Sequence, residues 1–202
     1  MKQSHDHEFL SRLTFAWLSK STWPKFTALF GERGACGQCW CMAYRLSKSD
    51  FEEGKHDGIN KDRMKQLVWE GKPVGILALY EGEAIGWCAL APRTDLPRLA
   101  RSRVHKPIDD KPVWSITCFF VDKKFRRQGV AGALIRGAIR LAEERGIGTL
   151  EAYPVIPTQK TLPDAFAWIG PYSAFREAGF VTVDRTSKHR PMVRYETKPL
   201  HP

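Results

Sequence analysis

The residues of this chain that could do chemistry are concentrated in one run, 120-FVDKKFRRQGVAGALI-135. Residues 113–121 are mainly β-branched or aromatic, which favours a strand, whereas the residues after the run's Gly-x-Ala turn are apolar at helical spacing. Four cationic side chains precede that turn. The first N–H groups of a helix lack helical partners, and the helix dipole is positive at that end. The run therefore predicts a binding site for an anion such as a diphosphate.

The residue types at the turn suit close contact with a phosphate. Gly129 lets a ligand approach the backbone, Ala131 keeps the next turn small, and Arg126 and Arg127 add positive charge. The chain lacks the GxxxxGK[ST] pattern of P-loop proteins and the GxGxxG pattern of dinucleotide-binding folds. These two classes of phosphate-binding protein are therefore excluded.

Composition and charge place the chain among basic globular proteins. It has 202 residues, of which 43% are apolar, and a net charge of +10. Residues 101–150 carry 11 Lys and Arg against 5 Asp and Glu, so positive charge is concentrated around the turn. No apolar run approaches the roughly 20 residues of a membrane span, and the N-terminus is too polar for a secretory signal. We expect a cytoplasmic protein with no membrane partner.

The pattern of elements predicts one α/β domain over residues 1–202. A strand at 113–122, a helix at 129–145 and a strand at 149–155 make a βαβ unit with parallel strands. The other predicted elements are helices at 22–30, 61–70 (capped by Asn60) and 164–178 (interrupted at Gly170-Pro171), a hairpin at 75–91, an extended segment at 35–46, a long basic loop at 92–112 and an antiparallel pair within 180–197.

The Arg-x-x-Gly-x-Ala pattern, after FFVD and before an amphipathic helix, resembles the motif of the GCN5-related N-acetyltransferase (GNAT) superfamily. The resemblance covers about residues 70–185 and includes 118–146, 150-LEAYPV-155 and 175-FREAGF-180. It implies a central mixed, splayed β-sheet flanked by helices, with acetyl-CoA as cosubstrate and no metal. It also implies a set of acetyl-CoA-binding residues: Phe119, Phe120 and Val121 on the strand edge, and Arg126, Arg127, Gln128, Gly129, Val130 and Ala131 at the turn.

The resemblance leaves the catalytic acid and base open. The acid is commonly a tyrosine five residues before the Phe of the GF pair, but that position is Phe175 here. Tyr172, one turn earlier, is the candidate acid; a buried structural tyrosine and departure of the thiolate without an acid are the alternatives. Relatives often place a general-base carboxylate on the strand before the motif, where this chain has Ser115, Thr117 and Cys118 instead, and Cys118 is a further candidate catalytic residue. Glu151 on the next strand is the candidate base, and an ion pair with an arginine is the alternative.

The cysteines do not predict a metal site. CGQCWC places thiols at 36, 39 and 41, but Cys88 and Cys118 are isolated and the histidines form no pair that would complete four ligands. Without a secretory signal, reduced thiols are expected. A cysteine acyl carrier would need an activating histidine, and none is near in sequence. Packing of small apolar thiols in the core is therefore the favoured interpretation.

The resemblance implies an acceptor pocket on the side of the N-terminal helices and the CGQCWCM segment. Trp40, Trp87, Trp114 and Arg93 are the candidate lining residues, with further arginines of the basic loop (98, 101 and 103) at the rim. Such a pocket favours an amine that also carries a carboxylate or phosphate. The alternative is that these tryptophans are core residues and the arginines are solvated.

These observations predict direct acetyl transfer from acetyl-CoA to a primary amine of a small molecule. The WCM and APR stretches resemble a bacterial-type branch of the superfamily. The alternatives are acetylation of protein lysines or N-termini, and a non-catalytic acyl-CoA-binding or sensing module. No nucleic-acid partner is expected, because the basic residues match no RNA-binding or helix-turn-helix pattern. Superfamily members often dimerise, which makes a homodimer a further expectation.

Overall fold

Seven strands form a single mixed sheet in the computed structural model, which describes residues 8–157 and 168–198. The strands are β1 Thr14–Trp17, β2 Ile76–Tyr80, β3 Glu83–Pro92, β4 Trp114–Val121, β5 Thr149–Ala152, β6 Val181–Asp184 and β7 Met192–Glu196. Their order across the sheet is β1-β2-β3-β4-β5-β7-β6. The β4–β5 pair is parallel and the other five pairs are antiparallel. The predicted βαβ unit and closing antiparallel pair are therefore confirmed.

Helices cover both faces of the sheet. They are α1 Trp23–Phe30, α2 Lys48–Glu53, α3 Ile59–Trp69, α4 Pro97–Ala100, α5 Val130–Glu144 and α6 Tyr172–Glu177. The α5 helix is amphipathic and packs across β1, β2 and β3 on one face, where its buried residues form the α5-side core. The α1 and α3 helices form the α1-side core on the other face. The predicted α/β class with a central mixed sheet is confirmed. No helix in the described residues is both long and apolar enough to cross a membrane.

A bulge in β4 changes which side chains face each core. Ala89 pairs with Cys118 whereas Leu90 pairs with Ile116, so Thr117 is an extra residue on β4. Because a strand alternates its side chains, the extra residue reverses the alternation after it. As a result Ile116 and Phe119 both face the α5-side core, although they differ by an odd number of positions.

The sheet is splayed between its two parallel strands. Pairing of β5 with β4 ends at Ile116↔Ala152, whereas β4 continues to Val121. The second half of β4, residues 117–121, therefore has no β5 partner along one edge. This is the splay that the family resemblance implies, and it lies next to the turn that leads into α5.

Several local predictions are wrong. The strand β1 was not expected, and segment 35–46 is not extended, because non-glycine residues at 35, 38, 40 and 41 have positive φ. The chain turns back there so that the Trp40 ring covers Gly34, where an added Cβ would lie 2.3 Å from the indole nitrogen. Gly58 rather than Asn60 precedes α3, and the buried Asn60 amide donates to the carbonyls of Gln38 and Phe51.

Two further predicted elements are shorter or different in form. The basic loop contains the short helix α4. Of the predicted helix at 164–178, residues 164–167 lie outside the described residues. The described part begins its helix at Tyr172, directly after Pro171, whose fixed φ and missing N–H suit the position before a helix.

Candidate active site

The turn into α5 has the geometry of an anion site. Arg127 (φ 61°) and Gly129 (φ 83°) both adopt the left-handed conformation, which reverses the chain within a few residues of β4. The Ala133 N–H donates to Gly129 O at 3.0 Å and makes the first helical bond. The N–H groups of residues 130–132 precede that bond and belong to the set that a helix leaves without helical partners. They therefore face outward together with the positive end of the α5 dipole.

Local hydrogen bonds fix the shape of this turn. The Asp122 carboxylate accepts from Lys124 N at 2.8 Å, the Gln128 amide donates to Lys124 O at 2.8 Å, and Arg126 Nε donates to Val121 O at 3.0 Å. The cationic side chains at 123, 124, 126 and 127 are exposed, and within the described part of the chain none of them forms an ion pair. Their positive charge is therefore available to a ligand.

The free edge of β4 presents backbone donors beside this turn. The Asp122 N–H donates to Ile85 O on β3 at 2.9 Å. Successive N–H groups of a strand point to opposite edges, so those of Val121 and Phe119 point to the edge that β5 leaves open. The Phe119 ring is buried in the α5-side core, and Phe120 packs against the α1-side core. Side-chain packing and a backbone binding role are thus compatible in these residues.

Tyr172 lies near β4, but its hydroxyl is bonded elsewhere. Gly170 packs on Phe119, since an added Cβ would lie 2.9 Å from that ring. The Tyr172 hydroxyl lies 2.9 Å from Thr182 Oγ1 on β6. Three strand spacings of about 4.8 Å separate β6 from β4. The geometry favours a structural hydrogen bond over the predicted acid role. Phe175, at the usual tyrosine position, is fully buried.

We expect Tyr172→Phe to change kcat by less than about 3-fold and to destabilise the protein by about 1 kcal/mol, the typical net value of one hydrogen bond. Thr182→Val removes the same bond from the other side and should cost a similar amount. Kinetics and urea unfolding of both variants check this. A loss of about 100-fold in kcat for Tyr172→Phe alone, with acetyl-CoA affinity unchanged, would instead identify Tyr172 as the acid.

Glu151 is the centre of a buried ion network. Its carboxylate is fully buried; Oε1 is bound by Arg93 and by the Tyr153 hydroxyl, and Oε2 accepts from Arg194 Nε at 2.8 Å. Arg194 also donates to Asp109 at 2.6 Å. Accepting a proton would weaken two ion pairs, so the structure favours the ion-pair alternative over a catalytic base.

The groups around this network make stability depend on pH. Burial, followed by the nearby Arg190 charge, lowers the pKa of His105 from its ordinary 6.5. The Arg194 hydrogen bond lowers the pKa of Asp109 from its ordinary 3.8. In both cases the unfolded chain binds more protons as the pH falls, so acid favours unfolding.

We therefore expect the free energy of unfolding to fall below about pH 6.5, where the unfolded-state His105 takes up its proton, and to fall further below about pH 4 as Asp109 titrates. Urea unfolding between about pH 2 and 8 measures this. His105→Phe should flatten the upper part of the profile. A profile in His105→Phe as steep as that of the wild type would contradict the assignment to His105.

Cys118 is not an activated nucleophile in this arrangement. A hydrogen bond with Cys41, together with burial, raises the pKa of the Cys118 thiol well above its ordinary value. The Cys41 sulfur also accepts from Trp87 Nε1 at 3.0 Å. Burial raises the pKa of Cys39 to about 12. Among residues 8–157 and 168–198, no three His, Cys, Asp or Glu side chains are grouped as a metal site would require.

The predicted acceptor residues are not brought together. Trp87 is fully buried in the α1-side core, whereas Trp114 packs at the α5-side core beside Trp17, with ring centroids 5.9 Å apart. Arg93 is committed to Glu151. Trp40 is 3% exposed and lines a cavity of about 620 Å³ between α1 and the α2–α3 turn. Because Trp87 and Trp114 lie on opposite faces of the sheet, the three tryptophans do not line one pocket.

Sequence reasoning missed residues at the end of β5. Arg194 lies opposite Glu151 in the β5–β7 register, a pairing of opposite charges that the strand pattern alone could have suggested. Tyr44 and Arg190 also meet there, although they are far apart in sequence, and their hydroxyl and Nη2 are 3.3 Å apart. No local signal identifies that contact.

Comparisons with known proteins agree with this geometry. Residues 40–162 match the family model of the acetyltransferase (GNAT) family, which is more than half of the chain. The structure is similar to that of a histone acetyltransferase HPA2 and related acetyltransferase from Corynebacterium glutamicum, with 15% identity, a TM-score of 0.52, and coverage of 95% of this chain and 98% of that one.

Two other similar structures have lower scores. The PaiA N-acetyltransferase of Thermoplasma acidophilum, in complex with coenzyme A, has 12% identity, a TM-score of 0.49, and coverage of 91% and 98%. The GNAT domain of PAT from S. lividans has 16% identity, a TM-score of 0.48, and coverage of 90% and 89%. A comparison with curated proteins found no match. The family match, with the splayed sheet and the turn into α5, confirms the predicted superfamily and enzyme class: the chain belongs to the acetyltransferase (GNAT) family.

Proposed function

We propose that this acetyltransferase moves an acetyl group from acetyl-CoA directly to a primary amine of a small molecule. The observation that carries the proposal is the positively charged, left-handed turn at the start of α5, beside the open edge of β4. Acetyl-CoA supplies an acetyl group activated as a thioester, a pantetheine arm and a diphosphate. The residues present fit each of these parts, because exposed cations, backbone donors and a free strand edge adjoin one another.

Each part of the site has a separate task. The N–H groups of residues 130–132, with Arg126 and Arg127, bind the diphosphate at the end of the α5 dipole. Gln128 and Gly129 shape the turn. The N–H groups of Phe119 and Val121 face the open edge, where they can bind the pantetheine and the thioester carbonyl. One such donor on a developing oxyanion is typically worth about 3 kcal/mol.

The transfer itself needs little from side chains. The neutral amine forms the new C–N bond as the C–S bond breaks, and the sulfur keeps the electron pair and leaves as a thiolate. The amine proton passes to water. Tyr172, Glu151 and Cys118 are bonded in the ways described above, so we propose that no dedicated acid or base among them is required.

The loops over the acceptor side support a small acceptor. His105 Nε2 donates to Arg190 O at 3.2 Å, which ties the β3–β4 loop to the β6–β7 loop. The Ile156 N–H donates to His189 O at 2.9 Å and ties the same β6–β7 loop to the segment after β5. These bonds hold three segments together beyond the carboxyl end of β5, and we take this restraint on the loops as support for a small acceptor. Cytoplasmic location and homodimer formation stay predictions.

Thiol release in the presence of acetyl-CoA tests the function. We expect small primary amines to be acetylated with kcat/KM at least about 10-fold above that for lysine- or N-terminal-amine peptides, a difference of about 1.4 kcal/mol. A preference for peptides would favour protein acetylation. Acetyl-CoA binding without turnover of any amine or peptide would favour a sensing module, and a folded protein that does not bind acetyl-CoA would overturn the proposal.

A further inference from the structure

Four segments of the chain meet beyond the carboxyl end of β5, on the α1 side of the sheet. A small cluster there comprises Leu96, Leu99, Tyr153 and Met192, with Tyr44 packed against it. The Tyr153 hydroxyl lies 3.0 Å from Ser115 Oγ on β4, two positions before the bulge at Thr117. This Tyr153 cluster therefore adjoins the place where β4 and β5 separate. An acceptor must approach the acetyl group from near this place.

Arg190 enters the region from the β6–β7 loop with unused hydrogen-bonding capacity. Its Nη2 donates to the Tyr44 hydroxyl at 3.3 Å, which is long for an N–H···O bond. Its Nε is buried and has no hydrogen-bond partner among the described residues. Nor does Arg190 form an ion pair with any carboxylate in residues 8–157 and 168–198. Arg190 thus has one N–H group without an acceptor and a second N–H group in a long hydrogen bond. A guanidinium in this state can bind an oxyanion.

Two of the neighbouring arginines are already held in ion pairs. Arg93 and Arg194 both bind Glu151, and Arg98 Nη1 donates to Ala43 O at 3.0 Å. The negative charge of Glu151 is thus balanced by two arginines, and it does not need Arg190 as a counter-charge. The charge of Arg190 is therefore available to a group that the protein itself does not supply.

We propose that the acceptor amine also carries a carboxylate or phosphate, and that Arg190 is the residue that selects it; this rests on the acetyltransferase function proposed above. The Nε–Nη2 edge of a guanidinium is a planar fork that matches two oxygens of such a group. The bound oxyanion takes the free Nε and replaces the Tyr44 hydroxyl at Nη2. The amine end of the acceptor then extends from the Tyr153 cluster toward the open edge of β4.

Matched acceptors test this assignment. The panel pairs standard L-amino acids with their carboxamides, and O-phosphoethanolamine with ethanolamine, so that carboxylate and phosphate are distinguished. We expect kcat/KM for one anionic class to exceed that of its neutral partner at least about 30-fold. Arg190→Gln should remove most of this preference and leave neutral amines within about 3-fold. Arg190→Lys, which keeps the charge without the fork, should be intermediate. Arg185→Gln, an exposed arginine of the same loop, is the matched control.

The acetyl-CoA-induced rise in melting temperature is measured for every variant, which shows that its fold and donor site are intact. Neutral partners that react as well as the acids would overturn the assignment. So would a wild type that binds acetyl-CoA but acetylates no anionic amine of the panel, or an equal loss in Arg185→Gln. A wild type that does not bind acetyl-CoA would instead overturn the proposed function.

Discussion

Replacing Glu151 with glutamine should destabilise the folded protein by about 3–5 kcal/mol, the usual cost of removing one partner from a buried ion pair. The substitution keeps the size of the side chain but leaves Arg93 and Arg194, both largely buried, without their shared counter-charge. Urea unfolding of the variant measures the loss. Because Arg93 also reaches Tyr153 and the His105 carbonyl, the basic loop should loosen together with the end of β5.

Glu81→Gln is the matched control for this substitution. It removes a carboxylate from an ion pair with Arg12 in which both side chains are more than half exposed. Such a pair is typically worth less than about 1 kcal/mol. If the two variants lost similar stability, the buried Glu151 network would contribute no more to stability than an exposed ion pair. If Glu151→Gln stayed stable but lost kcat, the base role that the sequence suggested would be restored.

Reversing two of the four positive charges at the turn, in Arg126→Glu with Arg127→Glu, should weaken acetyl-CoA binding at least about 100-fold, or about 2.7 kcal/mol. Both side chains are exposed and free of ion pairs in the described residues, and the change removes one local hydrogen bond, from Arg126 Nε to Val121 O, so the fold should lose only about 1 kcal/mol. The wild-type affinity should also fall as salt is added, because screening weakens exposed charge interactions. Isothermal titration at two salt concentrations measures both effects.

Lys72→Glu with Arg140→Glu changes the net charge by the same amount away from the turn, and both replaced side chains are exposed. We expect this control to bind acetyl-CoA within about 3-fold of wild type, since general attraction is largely screened beyond about 10 Å. Similar weakening in both double variants would mean that overall charge rather than the turn determines affinity.

The donor side of the site could be predicted from sequence because its determinants are local. The strand, the charged turn, Gly129 and the amphipathic α5 are contiguous in the chain, and each follows from spacing and residue type. The parallel β4–β5 pair then follows from the βαβ connection. The elements that were missed depend on tertiary contacts instead, as in the positive-φ segment around Trp40, which packs over Gly34.

The acceptor side could not be predicted because one bulge in β4 changes which side chains lie on each face of the sheet. Trp87 is the cross-strand partner of Phe120. Simple alternation along β4 would place Trp114 on the same face of the sheet as Phe120, and hence on the same face as Trp87. The extra residue at Thr117 puts Trp114 on the opposite face, and nothing in the sequence marks a bulge there. Likewise, the contacts of Glu151 with Arg93 and Arg194 join three segments of the chain that only the folded sheet brings together.

The most direct test of the account compares acetyl-CoA with acetyl-pantetheine, which lacks the diphosphate, by isothermal titration of the wild type and of the Arg126→Glu, Arg127→Glu variant. We expect the wild type to bind acetyl-CoA at least about 100-fold more tightly than acetyl-pantetheine, and we expect this preference to fall below about 10-fold in the variant. Equal binding of both compounds by the wild type, or an unchanged preference in the variant, would contradict the claim that the turn into α5 binds the diphosphate.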